Sequence, residues 1–411
     1  MTISPSAVTE QIPVVTKTRL IGIDAARGIA LLGMMAVHSL MAVGDDGSPT
    51  LSYGIAAGRS SALFAVLAGV GIAFTTGRSP VRRGNRSATA VALAARAAAV
   101  GAIGLLMGYA DGELAVMILP YYAVLFLLAI PLVYLPTRVL AAVGVLIALV
   151  VPLAIEQFGS VLPEPSLDNP TVSGIIGDPL GWLMELLVTG EFPALPWATY
   201  ICAGIVIGRL RLTSANIAGA LLVIGSALAV GARILAEVLI FHLGGLEQIM
   251  ASRELPRDEV LDIISYGADG SVSSSTWWWL AVDGPHTSTP LDLLGTVGSS
   301  MAVIGAMLFL GHISGHRLSR LINAGMVPLA AAGSMTLTLY VLHIWFINSH
   351  YDVYSASAGY VLQVIAALAI GVFVKLTAGR GPLEAFVTMI AGWSKRAFVT
   401  RKSKSDAAHR G

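Results

Sequence analysis

A single cysteine, Cys202, rules out a disulfide framework or a cysteine-based metal centre in this 411-residue chain, so its loops must be held by packing alone. Charge is scarce as well. Asp, Glu, Lys and Arg make up 12% of the residues, about half of the roughly 25% carried by an ordinary soluble domain, which argues against a soluble enzyme. Neither sign is in excess: 25 Lys and Arg stand against 24 Asp and Glu, a net charge of +1. That balance gives no footprint for nucleic acid and no acidic tail. The first 16 residues are polar and have no basic stretch ahead of the first apolar run, unlike a cleavable signal peptide, so that run is expected to be a retained helix.

What fills the chain is apolar, at 55% of residues. Runs of the length needed to span a bilayer, about 20 residues, occur near 20–43, 58–76, 88–109, 114–134, 138–155, 194–210, 214–241, 291–312, 324–348 and 357–377. The expected fold is therefore an all-α polytopic membrane protein of about ten transmembrane helices. Basic residues favour the cytoplasmic side of a helix, and placing the N-terminus there puts 19 of 25 basic residues on that side. They include Lys17, Arg19, Arg78, Arg82, Arg83, Arg86, Arg138, Arg209, Arg211, Arg317 and Arg320. The same arrangement sends 19 of 24 acids to the outside, so the near-zero net charge conceals a polarised molecule. Both termini are expected in the cytoplasm and the protein in the cell membrane.

Three domains of organisation follow: a cytoplasmic segment 1–18, a transmembrane domain 19–380, and an interfacial helix with a basic tail over 381–411. Two long outer loops, 156–193 and 242–290, are rich in Pro, Gly, Ser and Asp, with short helices expected around 181–189 and 257–266. Trp277, Trp278 and Trp279 read as an interfacial anchor, with a substrate-stacking platform as the alternative. Pro382 to Trp393 is too short to span and continues into Lys and Arg, the pattern of a helix lying on anionic lipid.

Ionisable groups inside a membrane are costly and mark candidate sites. The first run holds Asp24, Arg27 and His38. Arg27 and His38, eleven residues apart, fall within about 20° of one helical face with about 16 Å of rise between them, and Asp24 shares that side one turn earlier. Arg27 could instead simply pair with Asp24, and His38 could be a helix-to-helix hydrogen-bonding residue. Arg96 is a second intramembrane cation. Arg233 and Glu237, four residues apart, are expected to neutralise each other. Tyr340 and His343 share a face of the ninth run, with Ser334 and Thr338 one or two turns below; interhelical hydrogen bonding is the plainer account of that face. His286 stands among Asp283, Asp292 and the Trp run. No ligand spacing there is diagnostic of a metal, and none is expected. His312 and His316 fall at cytoplasmic helix ends, and His242 and His409 carry no assigned chemistry.

Leu20–Gly33 resembles the opening of the heparan-α-glucosaminide N-acetyltransferase and YeiB-like transmembrane acyltransferase families, and the eleven-residue step from Arg27 to His38 resembles the integral-membrane O-acyltransferases of bacterial envelope glycans. Arg59–Phe64 with Leu67–Gly71, then Ile118–Tyr122, Phe192–Trp197, Pro285–Asp292, Gly333–Tyr340 and Gly381–Glu384 continue the resemblance in order over most of the chain. Two positions depart: His38 stands where those families usually carry Asn, and His343 where the YeiB-like group commonly has Gln. The heparan enzyme's catalytic His lies in the loop after the first helix, but residues 44–58 contain no His.

The resemblance implies an acyl-CoA-dependent acyltransferase, with acetyl-CoA or another acyl-CoA as co-substrate and an extracytoplasmic glycan or glycolipid as acceptor. Acyl transfer needs a base, oxyanion donors and a hold on the carrier's phosphates. His38 is the expected base; His286, His343 and His350 are the other histidines of the outer half or outer loops, and His343 and His286 are the further catalytic candidates. Tyr122, Tyr340 and Ser61 are candidate oxyanion donors. Arg27, paired with Asp24, and Arg96, Arg82 and Arg83 are candidates for the phosphates; the positive-inside signal by itself also accounts for the loop arginines. A transporter or lipid permease lined by Asp24, Arg27, Arg233, Glu237 and His38 is the rival class, and a non-catalytic assembly factor a third. The 44 glycines permit close helix packing and a possible homodimer.

Overall fold

The computed structural model describes residues 20–166, 168–267, 275–313 and 315–408; Lys17, Arg19, His409, Arg410 and the segment 1–18 lie outside them. Regular structure among the described residues is helical, apart from one bridge between Val43 and Pro49. Twelve helices carry the argument: α1 Ile21–Ser39, α2 Arg59–Thr75, α3 Arg86–Met107, α4 Leu119–Leu132, α5 Thr137–Phe158, α6 Ala194–Arg209, α7 Ala215–Glu237, α8 Pro290–Leu310, α9 His316–Gly333, α10 Thr336–Ile347, α11 Ala356–Thr377 and α12 Pro382–Ala408. Among the described residues, seven helices are long and apolar enough to cross a membrane, or up to nine if two bent pairs each count as one span. The chain is an all-α polytopic membrane protein.

Burial sorts these helices into layers. The windows of α1 and of the span containing α2 are 61% buried, whereas those of α7 and α11 are only 22% buried. The outer helices turn Val223, Ile224, Ile365 and Phe373 outward, which in water would be a liability but in hydrocarbon costs nothing. α2 and α6 cross at the centre through glycine. A Cβ on Gly204 would lie 2.0 Å from the Val66 carbonyl oxygen, and one on Gly69 would lie 2.6 Å from that of Ile201. Small residues thus let the two backbones touch, the usual basis of helix association where no hydrophobic drive exists between helices.

Three of the expected spans differ in the structure. The run 194–210 forms α6, whose 16 residues reach the length of a span only together with Pro179–Thr189 of the preceding loop, across a 48° bend. The run 324–348 is not one helix: α9 and α10 meet at Ser334 and Met335 with a 78° bend. Gly333 causes the close approach there, since a Cβ on it would fall 1.8 Å from the Asp24 carbonyl oxygen of α1. The run 114–134 is only partly helical. α4 has 14 residues, about 21 Å, short of a hydrocarbon core of about 30 Å. Its missing length is the irregular stretch before it, where one buried amide meets three backbone groups: Asn169 Oδ1 accepts from the Met117 N–H at 2.7 Å while Nδ2 donates to the carbonyls of Ala110 and Ala115 at 3.2 Å. Non-helical backbone at such depth is tolerated only when protein supplies its partners.

The loop 156–193 holds helical turns over Val172–Gly177, Pro179–Met184 and Glu185–Thr189, and the second loop holds Gly245–Arg253 and Arg257–Tyr266. Trp279 is not an anchor at the surface. It is 2% exposed, packed with Ile240, Leu246, Ile249, Val260 and Ile264 in a small core of its own, while Trp277 is 54% exposed. Arginines at the basic end finish helices: Arg209 donates to the carbonyls of Val133 and Leu135 just past α4 at 2.9 and 2.8 Å, and Arg78 donates to the Gly208 carbonyl in α6 at 3.1 Å.

The Gly204 contact predicts that Gly204→Val, by forcing apart α2 and α6, lowers stability by about 1–3 kcal/mol or more, read as a fall in the thermal unfolding midpoint in detergent. Sidedness is open to the lone buried Cys202, which leaves a quiet background. Single Asp46→Cys and Arg83→Cys substitutions are expected to react with impermeant maleimide from opposite sides of the membrane; labelling from one side would overturn the expected topology.

Candidate active site

The break between α9 and α10 starts a new helix inside the bundle, and its first N–H groups need partners. Glu384, in the first turn of α12, supplies them. Its Oε1 accepts from the N–H groups of Leu337 and Thr338 at 2.6 and 3.1 Å, and its Oε2 accepts from the Thr338 hydroxyl at 2.7 Å. Beside this junction lies a cavity of about 280 Å³ whose lining includes Arg27, Met34, Arg96, Tyr122, Tyr340 and Glu384. Four of the residues singled out from sequence therefore face one space.

Arg27 Nη1 donates to Asp24 Oδ1 at 2.9 Å, and Asp24 is 5% exposed. Arg96 lies over the Phe126 ring, 5.7 Å from its centroid, so two guanidinium groups reach the cavity wall. Arg82 and Arg83 do not: they stand exposed in the turn before α3, outside the cavity lining. The candidate oxyanion donors are engaged elsewhere. Tyr122 donates to the Ser61 carbonyl at 3.0 Å, Tyr340 contacts Met117 Sδ at 3.6 Å, and the Ser61 hydroxyl donates to the Gly58 carbonyl at 2.9 Å.

A second pocket, about 40 Å³, is lined by His38, Ser61, Phe192 and His286 and shares Met34 and Ile118 with the first. His38 ends a hydrogen-bonded chain. Its Nδ1 is 3.1 Å from His343 Nε2, with the two rings within 7° of parallel. On its other side His343 Nδ1 is 2.5 Å from Gln363 Oε1, and Gln363 Nε2 is 3.3 Å from Ser39 Oγ. His343 and Gln363 are 2% and 7% exposed. Gln363 escaped the sequence reading because an uncharged amide in an apolar run is a weaker signal than an ion, although intramembrane amides do seek partners.

His286 forms another wall of this pocket. It has φ +60° and Ser288 has φ +52°, a left-handed conformation that non-glycine residues adopt only when their surroundings hold them, and one found often at functional sites. What holds them is a capped helix start. Thr289 Oγ1 accepts from the Asp292 N–H at 3.1 Å, Asp292 Oδ2 accepts from the Ser288 N–H at 2.9 Å, and Ser288 Oγ accepts from Trp197 Nε1 at 3.1 Å. The His286 ring stacks on Trp197 and meets Phe192 edge-on. Its Nδ1 has no hydrogen-bond partner, with Glu191 Oε1 3.9 Å away. A third space of about 30 Å³ beyond it is lined by His286, Trp279 and Glu156 among others. Asp283 is drawn off by Arg233, at 2.7 Å. This replaces the expected pairing of Arg233 with Glu237, because the loop into α8 brings Asp283 across to the outer end of α7.

Burial pushes the His286 imidazole down from 6.5 to about 4. Its folded-state value lies below the unfolded one, so between those values the unfolded chain binds the extra proton and stability falls as pH falls through the window from about 6.5 to 4. Thermal midpoints are expected to drop across that range, and His286→Asn is expected to lessen the drop; an unchanged profile would contradict a buried, neutral His286.

Residues 19–235, just over half of the chain, match the family model of the heparan-α-glucosaminide N-acetyltransferase catalytic domain. The match takes in Asp24, Arg27, His38, Arg96 and Tyr122, and ends before His286, Tyr340, His343, Gln363 and Glu384. No curated protein matches the chain.

Proposed function

The chain belongs to the heparan-α-glucosaminide N-acetyltransferase catalytic family, and from that membership we propose that it transfers an acetyl or other acyl group from acyl-CoA, across the membrane, to a hydroxyl or amine of an extracytoplasmic saccharide or glycolipid. One observation carries this reading: the Arg27 and Arg96 cavity and the His38 pocket are neighbours that share Met34 and Ile118, and the His38 pocket adjoins a further outer space through His286. A donor and an acceptor can thus meet at His38 from opposite ends.

The donor cavity, about 280 Å³, suits an acyl-pantetheine arm better than a whole carrier, with the nucleotide end left at the mouth. Arg27 and Arg96 hold the phosphates, since guanidinium forks match phosphate oxygens. Asp24 orients Arg27. Rise along α1 places His38 about 16 Å beyond Arg27, a distance comparable to the arm. His38 takes the proton from the acceptor O–H or N–H as its oxygen or nitrogen bonds to the thioester carbonyl carbon. The C–S bond then breaks, and the departing thiolate receives the proton to give free CoA. Tyr122 or Tyr340 turns its hydroxyl from its resting partner to the oxyanion. Phe192 beside His286 gives the His38 pocket an aromatic wall of the kind that suits the face of a sugar ring.

Acetyl-CoA is expected to raise the thermal midpoint of the purified protein, and Arg27→Ala to abolish that rise. His38→Ala is expected to keep the stabilisation while losing about 10²- to 10⁴-fold in turnover. Normal turnover by His38→Ala would remove His38 as base, and stabilisation by a bare solute but by no acyl-CoA would favour transport. Mass spectrometry of envelope glycans from cells with and without the protein identifies the acceptor as the modification that disappears.

A further inference from the structure

We propose that Gln363 and His343 are positioning residues that hold His38 in the tautomer whose Nε2 is a free base, an inference that deepens the transferase reading above and takes His38 as its base. The argument runs along donors and acceptors. An amide oxygen only accepts and an amide nitrogen only donates. Gln363 Nε2 lies at Ser39 Oγ, which leaves Oε1 facing His343 Nδ1 at 2.5 Å. His343 Nδ1 therefore carries the hydrogen.

A neutral imidazole has one N–H, so His343 Nε2 is a lone pair, and it faces His38 Nδ1 at 3.1 Å. His38 Nδ1 must then be the donor, and His38 Nε2 is left as the acceptor. Burial enforces the order: at 2% and 7% exposure His343 and Gln363 have little water to turn to, and an unmet polar group there costs several times what a made hydrogen bond gains. The alternative amide orientation would reverse every link and leave His38 Nε2–H a donor, unable to accept a proton.

The consequence for catalysis is a base with a fixed direction. When His38 Nε2 accepts the acceptor's proton, its Nδ1–H already points at the His343 lone pair, so the new positive charge is stabilised without any group having to move. Gln363 never touches a substrate. It acts through His343, as an orienting group does behind a catalytic imidazole.

The test combines a spectroscopic and a kinetic arm on the full-length protein in nanodiscs. With ¹⁵N-histidine labelling, and signals assigned by His38→Asn and His343→Asn, both residues are expected in the Nδ1–H form. Gln363→Leu is expected to lose that state and to lower kcat by about 10- to 100-fold with KM for acyl-CoA unchanged. Gln363→Glu, whose carboxylate accepts the same hydrogen, is expected to restore the Nδ1–H form and most of kcat. Finding His38 in the Nε2–H form in the unmodified protein overturns the proposal, as does Gln363→Leu at full kcat or a folded Gln363→Glu that fails as Gln363→Leu does. Should no acyl-CoA be turned over at all, the transferase reading falls while the spectra still decide the tautomer.

Discussion

In hydrocarbon a polar group has no water to fall back on, and most of the architecture follows from that. Among the described residues, Arg27 is held by Asp24, His38 by His343, His343 by Gln363 and Arg233 by Asp283, while Arg96 lies over the Phe126 ring. Backbone that leaves the helical ladder obeys the same rule. Asn169 meets three backbone groups of the stretch before α4, and Glu384 meets two N–H groups at the interrupted α9–α10 span. Where partners are supplied, the chain can abandon regular structure at membrane depth. The cavity that holds Arg27 and Arg96 lies at both departures, with Ile118, Leu119, Ser334 and Thr336 in its wall.

The interruption at Ser334 and Met335 is the clearest case. A continuous helix through this region would fill the space beside α1 with side chains. Breaking it exposes N–H groups whose cost would exceed any benefit unless something met them, and Glu384 does so with three hydrogen bonds. The carboxylate also sits against the positive end of the α10 dipole. Since Glu384 lines the same cavity as Arg27 and Arg96, the group that stabilises the break also sets the charge at one wall of the space the break creates.

Much of this was legible in the sequence. Hydropathy runs located the helices, and the rarity of charge inside them drew attention to Asp24, Arg27, His38 and Arg96, because ions in apolar runs are costly enough to need a reason. Local rules did less well where partners come from far along the chain. Arg233 has an acid four residues away at Glu237, yet its partner is Asp283, 50 residues on. The break in α9–α10 left no mark in hydropathy, since Ser334 and Met335 sit in an apolar context and the cause is the contact of Gly333 with α1. Gln363 was silent because nothing about an isolated amide says that a histidine 20 residues earlier needs an acceptor. Trp279 was misjudged because aromatic residues at a boundary serve equally well as anchors and as cores, and only the packing of the outer loop distinguishes them.

The site is assembled from both halves of the chain, and the division is informative. The half that matches the acetyltransferase family contributes Arg27, Arg96 and His38, the groups that would touch donor and proton. The other half contributes His343 and Gln363 behind His38, Glu384 at the donor cavity, and His286 at another wall of the His38 pocket. The proposed base and the group proposed to orient it are thus far apart in the chain and joined only in the fold: His38 and His343 are 305 positions apart. A helix such as α11 that is largely turned to lipid nevertheless places one amide inward, at the end of the histidine chain. Gln363 shares the inward face of α11 with Gly359, Ala367 and Gly371, so the small residues that bring α11 against α9 also carry the amide to His343, and any other rotation would lose both contacts.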